Sequence, residues 1–143
     1  MSENSLFQQW RRNSISICSL VVALSALGYN SWRNESTEHN RNIRAAEFEM
    51  LKHLGEVQQI IDYAHLRKDA QRGDLTQGLS RVLLIRDLGT LTPRPVDECT
   101  EKLLASWVKN GDQLATSQEA AATLSEDVLL TRRAVLASLQ SLK

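Results

Sequence analysis

From Ile15 to Tyr29 the chain is uncharged and apolar, whereas beyond Arg33 apolar residues recur at intervals of three and four, so the hydrophobic pattern divides it in two. In the second part, Ile43, Met50, Leu54, Val57, Ile61 and Ala64 predict a heptad-like stripe on a helix from about Ser36 to Arg72. Gly73-Asp74 breaks it, and Asp74 is placed to cap a second helix carrying Leu75, Leu79, Val82 and Leu83, which Gly89 to Pro95 ends. The two prolines of Thr92-Pro93-Arg94-Pro95 predict extended backbone, after which Val96 or Asp97 opens a third helix bearing Cys99, Leu103, Leu104, Trp107 and Val108. Asn110-Gly111 reads as a C-cap or a kink. A last helix is expected from about Ser117 to Leu142, with Leu124, Val128, Leu129, Leu136 and Leu139 as its apolar face.

Short connections make successive helices antiparallel, so the expected fold is all-α: an N-terminal transmembrane helix followed by a small up-down-up-down helical bundle. The expected divisions are a tail over 1–13, a membrane helix over 14–32, a polar neck over 33–44 and the bundle over 45–143. The neck has no hydrophobic stripe, which leaves a solvated helix and a flexible stalk both open.

Fifteen helical residues cover roughly 22 Å, short of a bilayer core of about 30 Å, and extension to Ser14 and Trp32 brings the run close to full width. Trp10, Tyr29 and Trp32, with Arg11 and Arg12, are expected as border anchors, because amphipathic rings favour the headgroup boundary. A cleaved export signal is the rival, with Ala23-Leu24-Ser25 or Ala26-Leu27-Gly28 as its cleavage site, but the flanking aromatics favour a retained signal-anchor. Ile17 before Cys18 argues against lipoprotein processing. The basic cluster Arg11-Arg12 favours a cytoplasmic N-terminus and a periplasmic C-terminal domain in the inner membrane, although Arg33, Arg41 and Arg44 on the other side leave the positive-inside rule evenly balanced. Within the segment, Ser16, Ser19, Ala23 and Ala26 share one helical face, where small residues let a second membrane helix approach closely.

Charge changes this picture little. The chain balances 17 Lys and Arg against 17 Asp and Glu; setting aside Glu3, Arg11 and Arg12 leaves fifteen against sixteen beyond residue 32, with no basic stripe for nucleic acid. Two cysteines, one of them in the apolar run, make no disulfide framework, and Cys99 is expected as a buried thiol or an intermolecular bridge. His39, His53 and His65 fall on one helix, about 21 Å and about 18 Å apart, so they do not converge on a metal. Asp62 and His65 stand one turn apart without matching ligands on other helices. No G-x-S-x-G, G-x-x-x-x-G-K or G-x-G-x-x-G is present, so neither a catalytic site nor a cofactor is expected. Arg72-Gly73-Asp74 spells an adhesion tripeptide where a helix break needs Gly and Asp anyway, and Asn34-Glu35-Ser36 is a glycosylation sequon.

The run Gly28-Tyr29-Asn30-Ser31-Trp32-Arg33-Asn34-Glu35, followed by Asn40-Arg41-Asn42-Ile43-Arg44, resembles small, uncharacterised single-pass membrane proteins of Gram-negative bacteria, a resemblance over the first half that implies no activity. The layout is also similar to the periplasmic sensor half of bacterial chemoreceptors, without a second span or output module expected after Lys143. Cell-division and phage-lysis membrane proteins share it more generally. The expected function is a non-enzymatic interaction subunit, anchored in the lipid bilayer and assembling with itself or with other envelope proteins. The alternative is a periplasmic ligand sensor acting through a separate signalling protein, with Arg81, Arg86, Arg132 and Arg133 as its anion contacts.

Overall fold

The computed structural model describes residues 3–142, with side chains from Asn13 onward except Ile15. It is all-α, 84% helical, with four helices and no strand among the described residues. These are α1 (Glu3–His65), α2 (Leu75–Gly89), α3 (Val96–Asn110) and α4 (Gln118–Ser141), with a single 3-10 turn at Gly111–Gln113. The chain forms two compact units, Met1–His39 and Asn40–Lys143.

The neck is helical, not an unstructured stalk, because α1 runs through it. That helix stops at His65, earlier than the expected Arg72. Lys68 takes a left-handed φ of 51°, and Asp69 folds the following residues into a turn by accepting from the amides of Gln71 and Arg72 at 3.1 and 3.0 Å. Gly73 closes the turn against the backbone of Ala64, a contact that leaves no room for a Cβ. Asp74 then caps α2 as expected, accepting from the Thr76 amide at 2.8 Å. The same geometry gives Arg72-Gly73-Asp74 its structural roles, with the Arg72 guanidinium over the Tyr63 ring.

Between α2 and α3 the two prolines do not hold an extended segment. Thr92 N–H bonds Gly89 O at 3.0 Å and Val96 N–H bonds Pro93 O at 3.1 Å, so the connection is a compact turn that leads into α3 at Val96. Asn110-Gly111 ends α3 and passes into the 3-10 turn with Gly111 in the right-handed region. Ser117 caps α4 by accepting from the Ala120 amide at 3.2 Å. At the far end, Arg44 donates to the Leu142 carbonyl at 2.7 Å, satisfying a backbone acceptor that the helix leaves open.

All four helices of the second unit feed one core. The α1 stripe is buried as expected, and it meets Val82 and Ile85 of α2, Val96, Leu103 and Trp107 of α3, and Leu124, Val128 and Val135 of α4. Fully burying a side chain such as Leu54 or Leu103 contributes about 1.5–3 kcal/mol, so the eleven large apolar side chains that are fully buried carry the fold. The expected faces need correction in detail. Val108 is 71% exposed, Leu83 gives its place to Ile85, and Leu129 and Leu136 face outward while Val135, Thr131 and Ser138 turn inward. Leu139 and Leu104 pack only partly against the core.

Candidate functional site

In the first unit, every described side chain from Asn13 to His39 is exposed. Ile17, Leu20, Val21, Val22, Leu24, Leu27, Tyr29 and Trp32 are all large and apolar, and at 100° per residue they cover about 220° of the circumference of α1, leaving a sector of about 140° to Ser16, Ser19, Ala23, Ala26 and Asn30. An exposed apolar face this broad calls for apolar surroundings. Ser16, Ser19, Ala23 and Ala26 are exposed on the same stretch, and Tyr29 and Trp32 form a tilted ring pair with centroids 6.2 Å apart. The expected anchors Trp10, Arg11 and Arg12 lie outside the residues whose side chains are described. Among the described residues no helix is long and apolar enough to cross a membrane. The side chain of Ile15, which opens the apolar run, is not described, and from Ser16 to Trp32 the uncharged helix covers only roughly 26 Å. The transmembrane helix expected over 14–32 therefore finds no support in length and hydropathy.

The second unit holds two polar clusters. His53, 4% exposed, lies between two carboxylates of its own helix, with Nε2 3.1 Å from Glu49 Oε1 and Nδ1 2.9 Å from Glu56 Oε2. Both ring nitrogens can donate at once only when the ring carries both protons. Lys52 reaches Glu49 at 3.1 Å, and Arg81 Nε of α2 reaches Glu56 Oε2 at 2.9 Å, tying α2 to α1. The Lys52 bond and charge hold Glu49 below the usual carboxylate range, and the His53 bond, aided by Arg81, does the same for Glu56.

The other cluster surrounds an open cavity of about 230 Å³ lined by Asp62, His65, Gln118 and Ser125 over Ile61 and Ala121. Gln58 Nε2 donates to both Asp62 Oδ1 at 3.0 Å and Ser125 Oγ at 3.1 Å, bridging α1 and α4. His65 Nδ1 is 2.9 Å from the Leu114 carbonyl, which can only accept, so that nitrogen carries a proton and donates it. The Ser125 hydroxyl lines the same cavity but is engaged by Gln58, and no hydrogen bond between it and His65 is present among the described residues. Among the described residues no three metal-ligating side chains gather.

The arginines expected as anion contacts are not brought together. Arg81 is engaged by Glu56, Arg86 lies 3.2 Å from Asp87 and 4.0 Å from Glu101, and Arg132 and Arg133 are exposed on α4. Cys99 is a half-buried free thiol whose pKa burial pushes up, which makes it a poor nucleophile. On the neighbouring helix the buried Asp127 carboxylate accepts from Lys102 at 2.8 Å, and that bond holds the ammonium above its ordinary value.

Three buried polar residues, Glu47, His53 and Asp127, escape a reading based on apolar periodicity alone. Their spacing does carry a signal. Glu47 lies four residues after Ile43 and three before Met50, His53 three after Met50 and four before Val57, and Asp127 three after Leu124, so each occupies a core phase of its helix. The chain matches no protein-family model, no curated protein and no solved structure.

Proposed function

We propose that this chain is a non-enzymatic membrane-anchored interaction protein, with residues 14–32 as a short signal-anchor in the inner membrane and the helical unit as its periplasmic assembly domain. The carrying observation is the uncharged stretch of α1 whose large apolar side chains are exposed over most of the helix circumference, beside a face of small residues. Left in water, that surface would drive aggregation, and a bilayer covers it without a matching protein groove. Its shortness is accommodated by local thinning and by the Tyr29 and Trp32 rings at the border. The clusters of the bundle favour an assembly role, because their charges are spent on holding α1 against α2 and α3 against α4.

The test is membrane partition of the full chain expressed in a Gram-negative host. A charged residue at the centre of a spanning helix costs about 2.5–3.5 kcal/mol, so Leu24→Arg is expected to move most of the protein out of the carbonate-resistant membrane fraction. Leu129→Arg, on an exposed site of α4, should leave partition unchanged. Equal recovery of wild type and Leu24→Arg in the soluble fraction would refute the anchor.

A further inference from the structure

Glu47 is fully buried in the bundle, and neither of its carboxylate oxygens has a hydrogen-bond partner. The polar group that acts on it is the Ser138 hydroxyl of α4, which is itself buried and unpartnered. An ionised carboxylate in such a place is disfavoured, because burial removes its hydration and the Ser138 hydroxyl offsets that loss only in part. Protonation changes the inventory. A neutral Glu47 carries an O–H that the Ser138 hydroxyl oxygen is able to accept, and the neutral pair no longer needs the lost hydration.

Burial and Ser138 are the influences on the Glu47 carboxyl, and no cation is among them. On α1, Arg44 donates to the Leu142 carbonyl, and Glu49 is held by Lys52 and His53. On α2, Arg86 pairs with Asp87 and approaches Glu101 of α3. On α3, Asp97 accepts from the Glu98 amide, Glu98 pairs with Arg94, Lys102 pairs with Asp127, and the Cys99 thiol is held neutral by burial. On α4, the stretch from Ala134 to Leu142 contains no titratable side chain at all. Burial pushes the Glu47 carboxyl above its ordinary value, and Ser138 offsets that rise only in part.

We propose that Glu47 and Ser138 form a proton-operated latch between α1 and α4, closed while Glu47 is neutral and released when it ionises. The sign follows from the raised folded-state value. The contribution is complete at pH below the ordinary carboxylate range and is lost as pH rises through the folded-state value. The latch lies at the end of the bundle where Arg44 holds Leu142, so its release frees the last turns of α4 first. It is independent of whether residues 14–32 enter a bilayer.

Amide hydrogen exchange of the full chain in a nonionic detergent, from pH 5 to pH 9, tests the latch. Intrinsic exchange accelerates about tenfold per pH unit, and a local opening gated by one ionisation adds up to about another tenfold when reclosing outruns exchange. Wild-type amides from Val135 to Leu142 are therefore expected to steepen toward about a hundredfold per unit, whereas Glu47→Gln keeps about tenfold. Leu79 to Ile85 of α2 should stay near tenfold in both proteins. Should Glu47→Gln fail to fold, Glu47→Met, of similar length and without a proton to lose, is expected to give the same flattening. Parallel profiles for wild type and variant would overturn the latch. Equal steepening of α2 and α4 would overturn its location, because that is global unfolding.

Discussion

Gly78 lies on α2 against the Trp107 indole of α3, and a methyl group there would occupy the space of the ring's benzene edge, with Ile60 of α1 close behind. An alanine gains about 1 kcal/mol of helix propensity at an interior position, but overpacking a filled core costs about 1–3 kcal/mol. Gly78→Ala is expected to come out destabilised, seen as a lower urea midpoint with an unchanged slope. A higher midpoint would mean that the indole moves aside freely. Gly89 makes the same kind of contact with the Thr100 side chain, so α2 approaches α3 through glycine at two levels. Neither close approach was legible in the sequence, where nothing singles out Gly78 and Gly89 reads only as the end of a helix. A glycine's packing role depends on which aromatic lies across the interface, and only the three-dimensional register of α2 on α3 supplies that.

At the scale of elements, the helices that carried a dense stripe were legible and the one rich in leucine was misphased. Ile43 through Ala64 are large or small apolar residues at a steady spacing with charged neighbours, which admits one buried face. On α4, leucine and alanine occur on several sides, so the outward Leu129 and Leu136 compete with the true core phase of Leu124, Val128, Thr131, Val135 and Ser138. Two of those core positions are hydroxyls. Thr131 conceals its polarity by donating to the Asp127 carbonyl at 2.8 Å, a bond within its own helix that no hydropathy pattern registers. The apolar stretch of α1 gives the element its own test. If Ser16, Ser19, Ala23 and Ala26 form the face where two copies meet, single cysteines there, in a Cys18→Ser background, should form disulfide dimers in membranes while cysteines at Ile17, Leu20, Leu24 and Leu27 do not. Uniform absence of dimer at the small-residue positions would exclude that face.

The whole molecule divides at His39 and Asn40 into an exposed apolar helix and a bundle with its own core, and the three tryptophans divide with it. Trp32 is 66% exposed in the first unit and Trp107 is 3% exposed in the second, packed among α2 and α3. Indole emission shifts to longer wavelength in a polar, mobile solvent shell, so these two residues act as separate optical reporters already installed in the chain. With Trp10 replaced by Phe, a Trp107→Phe variant leaves Trp32 as the sole tryptophan, and its emission should move to the blue when phospholipid vesicles are added. The converse Trp32→Phe variant should ignore vesicles and move to the red only as urea opens the bundle. Emission from Trp32 that stays at its aqueous wavelength in vesicles would place the helix outside lipid. Energy transfer from Tyr29, 6.2 Å from Trp32 between ring centroids, gives the first reporter an excitation route of its own, so the two halves of the chain can be followed by colour without attaching a dye.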